Sequence, residues 1–297
     1  FLGVMPRPMM FGTEHIRAAA CTQFMVDPSK ASGLAAMLLL KKFFSGPQDL
    51  SIADGANDTA YRLWVAMGGS PALLYSLHWL RPLRPAAGLL SLARQRAKSG
   101  LLSSIARPFA AVLDFLAARA APNRFTDRDS LHRDGPVSIE AVVRALPIIM
   151  SGKSLQPVYG KDSLTWLLQQ AARKTRYGPL QTRCVRDDEG ALAGWYFYYC
   201  RPGHCAEVLQ LVADRGKFDA VMNHLLSNAW LEGATAVRGR MDPLVAKQLS
   251  DRHCWFRRDG PWTLLHSRRK DVLASAQGGD AFLSRLDAEW WMSFTSG

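Results

Sequence analysis

The chain has 297 residues, enough for two domains of ordinary size, each with its own core. Its composition, 48% hydrophobic and 21% charged, excludes a disordered chain. No stretch of about eighteen uncharged apolar residues is present to cross a membrane as a helix. The formal net charge is +12, yet the basic residues are spread along the chain, Arg81 to Arg269 included, without an established nucleic-acid motif.

Five cysteines (Cys21, Cys184, Cys200, Cys205 and Cys254) are an odd number without Cys-x-x-Cys spacing, so a reduced, cytoplasmic protein is expected. Cys200 and Cys205 flank Arg-Pro-Gly-His and could approach across a turn. His204 beside Cys205 lacks two further ligands at suitable spacing, and no metal is expected.

Residues 1–11 and 16–26 read as paired strands joined by a turn at Gly12-Thr13-Glu14-His15. The apolar run ends in Asp27-Pro28, and a loop of small residues leads into a helix over 32–45. Ala31, Ser32, Gly33, Ala35 and Ala36 have little or no side chain, so an anion can reach the unpaired N–H groups at the helix start. The competing explanation is a tight strand–helix connection whose small residues serve packing. Gly46-Pro47 leads to a short strand over 50–53, then Asp54-Gly55-Ala56-Asn57 opens a second helix over 58–67, closed by Gly68-Gly69.

This β–loop–α–β–α order resembles the GNAT superfamily of acyl-CoA N-acyltransferases, whose pyrophosphate loop reads Arg/Gln-x-x-Gly-x-Gly/Ala. Here the run is Lys30-Ala31-Ser32-Gly33-Leu34-Ala35, with Lys in place of Arg or Gln. Asn57, Ala60, Leu63 and Gly68 fall at the spacing of the later motif Asn-x-x-Ala-x-x-Leu-Tyr-x-x-x-Gly. The match covers residues 1–80.

The resemblance implies a mixed α/β fold and acetyl-CoA or another acyl-CoA as co-substrate. Main-chain groups of Phe24, Met25 and Val26 would hold pantetheine and polarise the acyl carbonyl. Residues 30–35 would hold the pyrophosphate, and Asn57 the pantetheine arm, although Asn57 serves equally as a helix N-cap. At Trp64 the family commonly has a Tyr whose phenol protonates the leaving thiolate; indole cannot do so. Tyr61, three residues earlier, is the substitute candidate. Glu14, His15 and Asp54 are candidates for a base, but each reads as a turn or capping residue ahead of a base. Cys21, within an apolar strand, reads as an inert core thiol. The family's opening strand, two helices and second strand are expected to be missing ahead of Phe1.

Further along, residues 73–80 read as a strand with Tyr75, Leu77 and Trp79 on one face, and Leu80-Arg-Pro-Leu-Arg-Pro85 ends the first domain. Residues 87–121 read as a helical connector, with a membrane-surface helix as the alternative, and 122–136 as a polar linker. Residues 137–177 look mostly helical. Strands over 194–200 and 206–212, a loop at 213–217, a helix over 218–231, a strand over 234–240 and a helix opening at Asp242-Pro243 then repeat the first theme. An internal duplication is expected, giving two GNAT-like halves over 1–85 and 137–297 with 86–136 between them.

In the second copy Arg215, Lys217 and Phe218 crowd the loop, so only the first half should bind CoA. The second should shape the acceptor cleft, with Trp195, Tyr196, Tyr198 and Tyr199 as its walls. The expected activity is transfer of an acyl group from acyl-CoA to an amine on a small molecule, peptide or polysaccharide precursor, with peripheral membrane contact allowed by the basic surface. The alternatives are a non-catalytic acyl-CoA-binding scaffold and a Fem-type aminoacyl transferase. The ending Gly279–Trp291 also resembles uncharacterised bacterial acyltransferases, and Trp290-Trp291 reads as a docked terminal helix.

Overall fold

A computed structural model describes residues 1–27, 33–84, 134–135, 137–258 and 260–289. Lys30, Ala31, Ser32, the expected connector and most of the linker, and Trp290-Trp291 lie outside the described residues.

Strands β1 (Gly3–Phe11) and β2 (Glu14–Thr22) form an antiparallel hairpin around Gly12, whose φ of 58° lies in the left-handed region that glycine adopts without strain. In β2 the small residues Ala18, Ala19, Ala20 and Cys21 are buried in succession, so both faces of the strand are covered. Helix α1 (Gly33–Phe44) buries Leu40, Phe43 and Phe44. Strand β3 (Leu50–Ala56) returns parallel to β2, and α2 (Asp58–Ala66) follows, its first turn capped by the Asn57 side chain. Then come β4 (Ser70–Pro71), α3 (Leu73–Ser76) and β5 (His78–Pro82).

Beyond the undescribed segment run β6 (Asp134–Gly135), α4 (Ile139–Ile149), β7 (Leu155–Pro157), α5 (Lys161–Ala172), β8 (Leu180–Arg186) and β9 (Leu192–Tyr199). The chain continues through β10 (Cys205–Ala213), α6 (Phe218–Leu231), β11 (Ala236–Arg240), a 3-10 turn (Pro243–Val245) and α7 (Ala246–Asp251). It closes with β12 (Trp255–Arg257), β13 (Trp262–His266), α8 (Lys270–Gln277) and a 3-10 turn at Arg285–Asp287. The fold is mixed α/β, with two mixed sheets, as expected from the sequence.

The first sheet has the order β4-β13-β3-β2-β1-β7 and the second β12-β5-β11-β10-β9-β8-β6. Each sheet therefore contains a strand from the far side of residue 85. β5 lies between β11 and β12, and β13 lies between β3 and β4, at the corresponding place. This reciprocal exchange ties the two lobes together by main-chain hydrogen bonds as well as by side chains.

Three sequence expectations need correction. Residues 73–76 are helical rather than extended: the Ser76 hydroxyl donates to the Ala72 carbonyl and the Tyr75 hydroxyl to the Ala281 carbonyl, so a tertiary contact fixes this turn. The segment 137–177 is interrupted by β7, which extends the first sheet beyond β1. Trp195, Tyr196, Tyr198 and Tyr199 are fully buried and line no cleft. Their partners are internal: Trp195 donates to Gln210, and Tyr199 donates to the Ala171 carbonyl.

Candidate active site where the parallel strands part

In each lobe the central parallel pair is brief. β2 and β3 are in register from Ala18/Leu50 to Ala20/Ile52, and β10 and β11 from Cys205/Ala236 to Glu207/Arg238. Beyond those pairs the strands diverge and leave main-chain groups facing a gap. In β10 a register shift between Val208 and Gln210 marks the departure. In the first lobe the break comes at Gln23, whose φ of 53° is unusual for a residue with a side chain.

Of the expected ligand-holding residues, Phe24, Met25 and Val26 follow β2, and Gly33, Leu34 and Ala35 open α1. Met25 exchanges main-chain hydrogen bonds with Phe1, donating its N–H at 3.0 Å and accepting at 2.9 Å. Phe24 and Val26 flank Met25 in a segment without regular secondary structure. Gly33 begins α1, and a Cβ built there would meet nothing within 4 Å. Packing gives no reason for a glycine at that position. Leu34 is exposed and Ala35 half-buried on the following turn.

Asn57 spends its side-chain oxygen on capping α2, accepting from the Ala60 N–H at 2.9 Å. Tyr61 and Phe24 both pack against the cluster containing Cys21 and Trp64. The Tyr61 ring stacks on Trp262 at 4.4 Å, and the Arg258 guanidinium lies over the Trp262 ring at 4.1 Å. Trp64 is buried; its indole nitrogen donates to the Leu265 carbonyl at 2.9 Å and its ring meets Phe44 edge-on. Cys21 is also buried, and burial pushes its thiol well above the usual range. Glu14 pairs with Arg269 on the surface, away from the gap.

Glu289 is the residue that sequence reasoning missed. Its carboxylate spans the first gap, accepting from the Gln23 N–H at 2.9 Å and from the Gly55 N–H at 3.3 Å. Burial, helped by neighbouring Asp54, raises its pKa to about 7; the two N–H donors oppose that shift. A Cβ on Gly55 would sit 3.0 Å from the Glu289 Oε1, so the carboxylate's place depends on a bare backbone there. The only hint in the sequence is an acid closing the run 281–288, which is otherwise buried.

The segment carrying Glu289 is held by buried polar contacts. Asp287 accepts from the Tyr159 hydroxyl at 2.5 Å and the Ser284 hydroxyl at 2.5 Å, while Arg7 donates to the Asp287 carbonyl at 2.9 Å. Arg285 is buried and shares the Glu207 carboxylate with Arg238. Asp54, at the end of β3, pairs with Arg240 at 2.6 Å. The turn residue of the sequence reading is thus an interior ion pair joining the two lobes.

The second gap opens into a cavity of about 770 Å³. β10 and the residues after β11 form its walls, and α6 begins at its edge. Arg215 and Phe218 line it, whereas Lys217 turns to Asp187 at 3.1 Å. No side chain caps the start of α6. Among the described residues no group of three or more His, Cys, Asp or Glu side chains is arranged to hold a metal ion, and no helix is long and apolar enough to cross a membrane.

The fold has relatives among solved structures. A GCN5-related N-acetyltransferase from Anabaena variabilis aligns over 90% of this chain and 59% of its own, at 11% identity and a TM-score of 0.53. An Enterococcus faecalis protein of unknown function, described as a probable N-acyltransferase, aligns over 89% of this chain and 57% of its own, at 10% identity and a TM-score of 0.52. Saccharomyces cerevisiae N-myristoyltransferase with bound myristoyl-CoA aligns over 89% and 63%, at 10% identity and a TM-score of 0.52. This chain therefore spans about three fifths of the length of those proteins and has the GNAT fold. No protein-family model and no curated protein matches the sequence.

Proposed function

We propose that the chain is an acyl-CoA-dependent N-acyltransferase, with acyl-CoA along residues 24–35 of the first lobe. The observation that carries this reading is the parting of β2 and β3 after Ala20/Ile52, where the Glu289 carboxylate joins the Gln23 and Gly55 N–H groups across the gap. Small residues at the start of α1 would leave its amides open to a pyrophosphate. Phe24 and Val26 would offer hydrogen bonds to the pantetheine arm and to the thioester oxygen as charge develops on it.

Glu289 then has the chemistry of the general base. An amine must shed a proton as it attacks the thioester carbonyl, and a base with a pKa close to the working pH does this best. When the intermediate collapses, the carbon–sulfur bond breaks and the thiolate leaves. Tyr61 is the phenol proposed to protonate it. The acceptor would be an amine on a small molecule or peptide.

A non-catalytic acyl-CoA-binding role is the second reading. The observation favouring it is Trp64, whose indole nitrogen is already spent on Leu265.

Gly33→Glu tests the reading. The position has open space, so the fold should persist, while the carboxylate would meet the pyrophosphate both sterically and electrostatically. Calorimetry should show acyl-CoA binding by the native chain and at least about a hundredfold loss in the variant. Absence of binding to the native protein removes both readings. Binding without thiol release across a panel of amines leaves the second.

A further inference from the structure

We infer that the outer side of α1 and α2 rests on an anionic lipid surface, the apolar side chains of α1 entering it and the lysines at its end meeting the headgroups. The inference goes beyond the acyltransfer reading and does not rest on it.

The first ground is the division of α1 into two faces. Leu40, Phe43 and Phe44 turn inward. At about 3.6 residues per turn, Leu34, Met37, Leu38, Lys41 and Lys42 fall on the opposite arc. Leu34 is 60%, Met37 41% and Leu38 57% exposed. Single exposed apolar residues are ordinary on a protein surface. Three within two turns, with no polar residue among them on that arc, make a patch that calls for a partner.

The second ground is orientation. Phe43, Phe44 and Trp64 share one buried cluster with Ala19 and Cys21 of β2, and Phe44 meets Trp64 edge-on. Both helices therefore pack on the same side of the first sheet, and their exposed arcs point away from it. There α2 adds Val65, 42% exposed, and the exposed Arg62. A flat partner can touch both helices at once.

The third ground is charge and size. Lys41 and Lys42 form the basic last turn of α1, and neither they nor Arg62 is paired with a carboxylate among the described residues. The only acid in the two helices, Asp58, accepts from the Trp262 indole at 2.7 Å. The surface is thus positive, on a chain of net charge +12, and suits an anionic partner. Apolar side chains beside basic ones are the paired signal that holds a protein on an anionic bilayer. A stable protein partner would call for roughly twenty residues a side, far more than these few. A lipid surface closes around protruding side chains without a matching shape.

The test is co-sedimentation of the full chain with vesicles of phosphatidylcholine alone or with about 30% phosphatidylserine, at low and at high salt. Binding to the anionic vesicles should be at least about tenfold tighter and should fall toward the neutral value in high salt. Met37→Gln combined with Leu38→Gln should weaken it at least about tenfold, as should Lys41→Glu combined with Lys42→Glu. The melting temperature should hold in both, since all four side chains are exposed. Equal binding to the two kinds of vesicle, or native-strength binding by either double variant, overturns the inference. So does a native dimer that the Met37→Gln, Leu38→Gln protein fails to form, because the face would then belong to a second copy. None of the four residues lies within 24–35, so acyl-CoA binding is judged separately from this result.

Discussion

Asp54 and Arg240 stand at corresponding places in the two lobes and pair with each other at 2.6 Å across 186 residues of sequence. The registers establish the correspondence. Ile52 faces Ala20 and Arg238 faces Glu207 at the last pair of each parallel ladder, and two residues further on come Asp54 and Arg240. Like charges at these two positions would repel; opposite charges make the junction of the lobes an ion pair. The exchanged strands β5 and β13 likewise take corresponding places in the two strand orders.

Both partners are almost wholly buried, so removing one leaves a charge without compensation. Asp54→Asn and Arg240→Met should each destabilise by about 3–5 kcal/mol. The double variant should cost at least about 1 kcal/mol less than the two singles together, because both charges leave at once. Urea denaturation of the four proteins measures the coupling, and strict additivity would deny that the pair joins the lobes.

Trp64→Phe separates structure from chemistry. The variant loses the hydrogen bond to the Leu265 carbonyl and part of the edge-on contact with Phe44. A destabilisation of about 1–3 kcal/mol is expected in denaturant unfolding. Turnover per folded molecule should hold within about twofold, since indole supplies no proton to a thiolate. A large loss of kcat with stability intact would give Trp64 a part in the reaction.

The repeated β–loop–α–β–α order was legible because each element carries its own local signal. Small residues precede α1, Asn57 caps α2, and Phe218, Val221, Met222 and Leu225 repeat at helical spacing in α6. Which sheet a strand joins was not legible. The apolar pattern of β5 says that it is buried but not where, and its pairing with β11 and β12 is decided far along the chain. The continuous aromatic run over 195–199 misled for a related reason: a strand covered on both faces has no polar side, and its ring residues suggested a cleft when they form the core. Glu289 was missed because its partners, Gln23 and Gly55, lie 266 and 234 residues away.

Tyr61→Phe keeps the ring and its stacking on Trp262 and removes only the hydroxyl. If that hydroxyl protonates the leaving thiolate, kcat should fall about a hundredfold while the KM for acyl-CoA and the melting temperature stay put. An unchanged kcat eliminates Tyr61 as the acid. The remaining source of the proton would then be water or the ammonium of the acceptor.

Glu289 links stability to pH in a direction that can be stated in advance. Its folded pKa of about 7 lies above the unfolded carboxylate value, so the folded state holds the proton more tightly. Its contribution to stability is therefore fully present below about pH 4.5 and is lost as pH rises through about 7. A shift of that size corresponds to about 3 kcal/mol across the window. Glu289→Gln, which mimics the protonated acid, should flatten that part of the stability profile and be the more stable protein at pH 8. The same change should abolish the rise of kcat/KM between pH 6 and 8, because an amide cannot take a proton from the amine. Unfolding curves and rates measured on one pH series test both halves. A variant whose stability profile flattens while its rate still rises with pH would leave Glu289 as a structural acid bridging the two strands, with the base to be sought elsewhere.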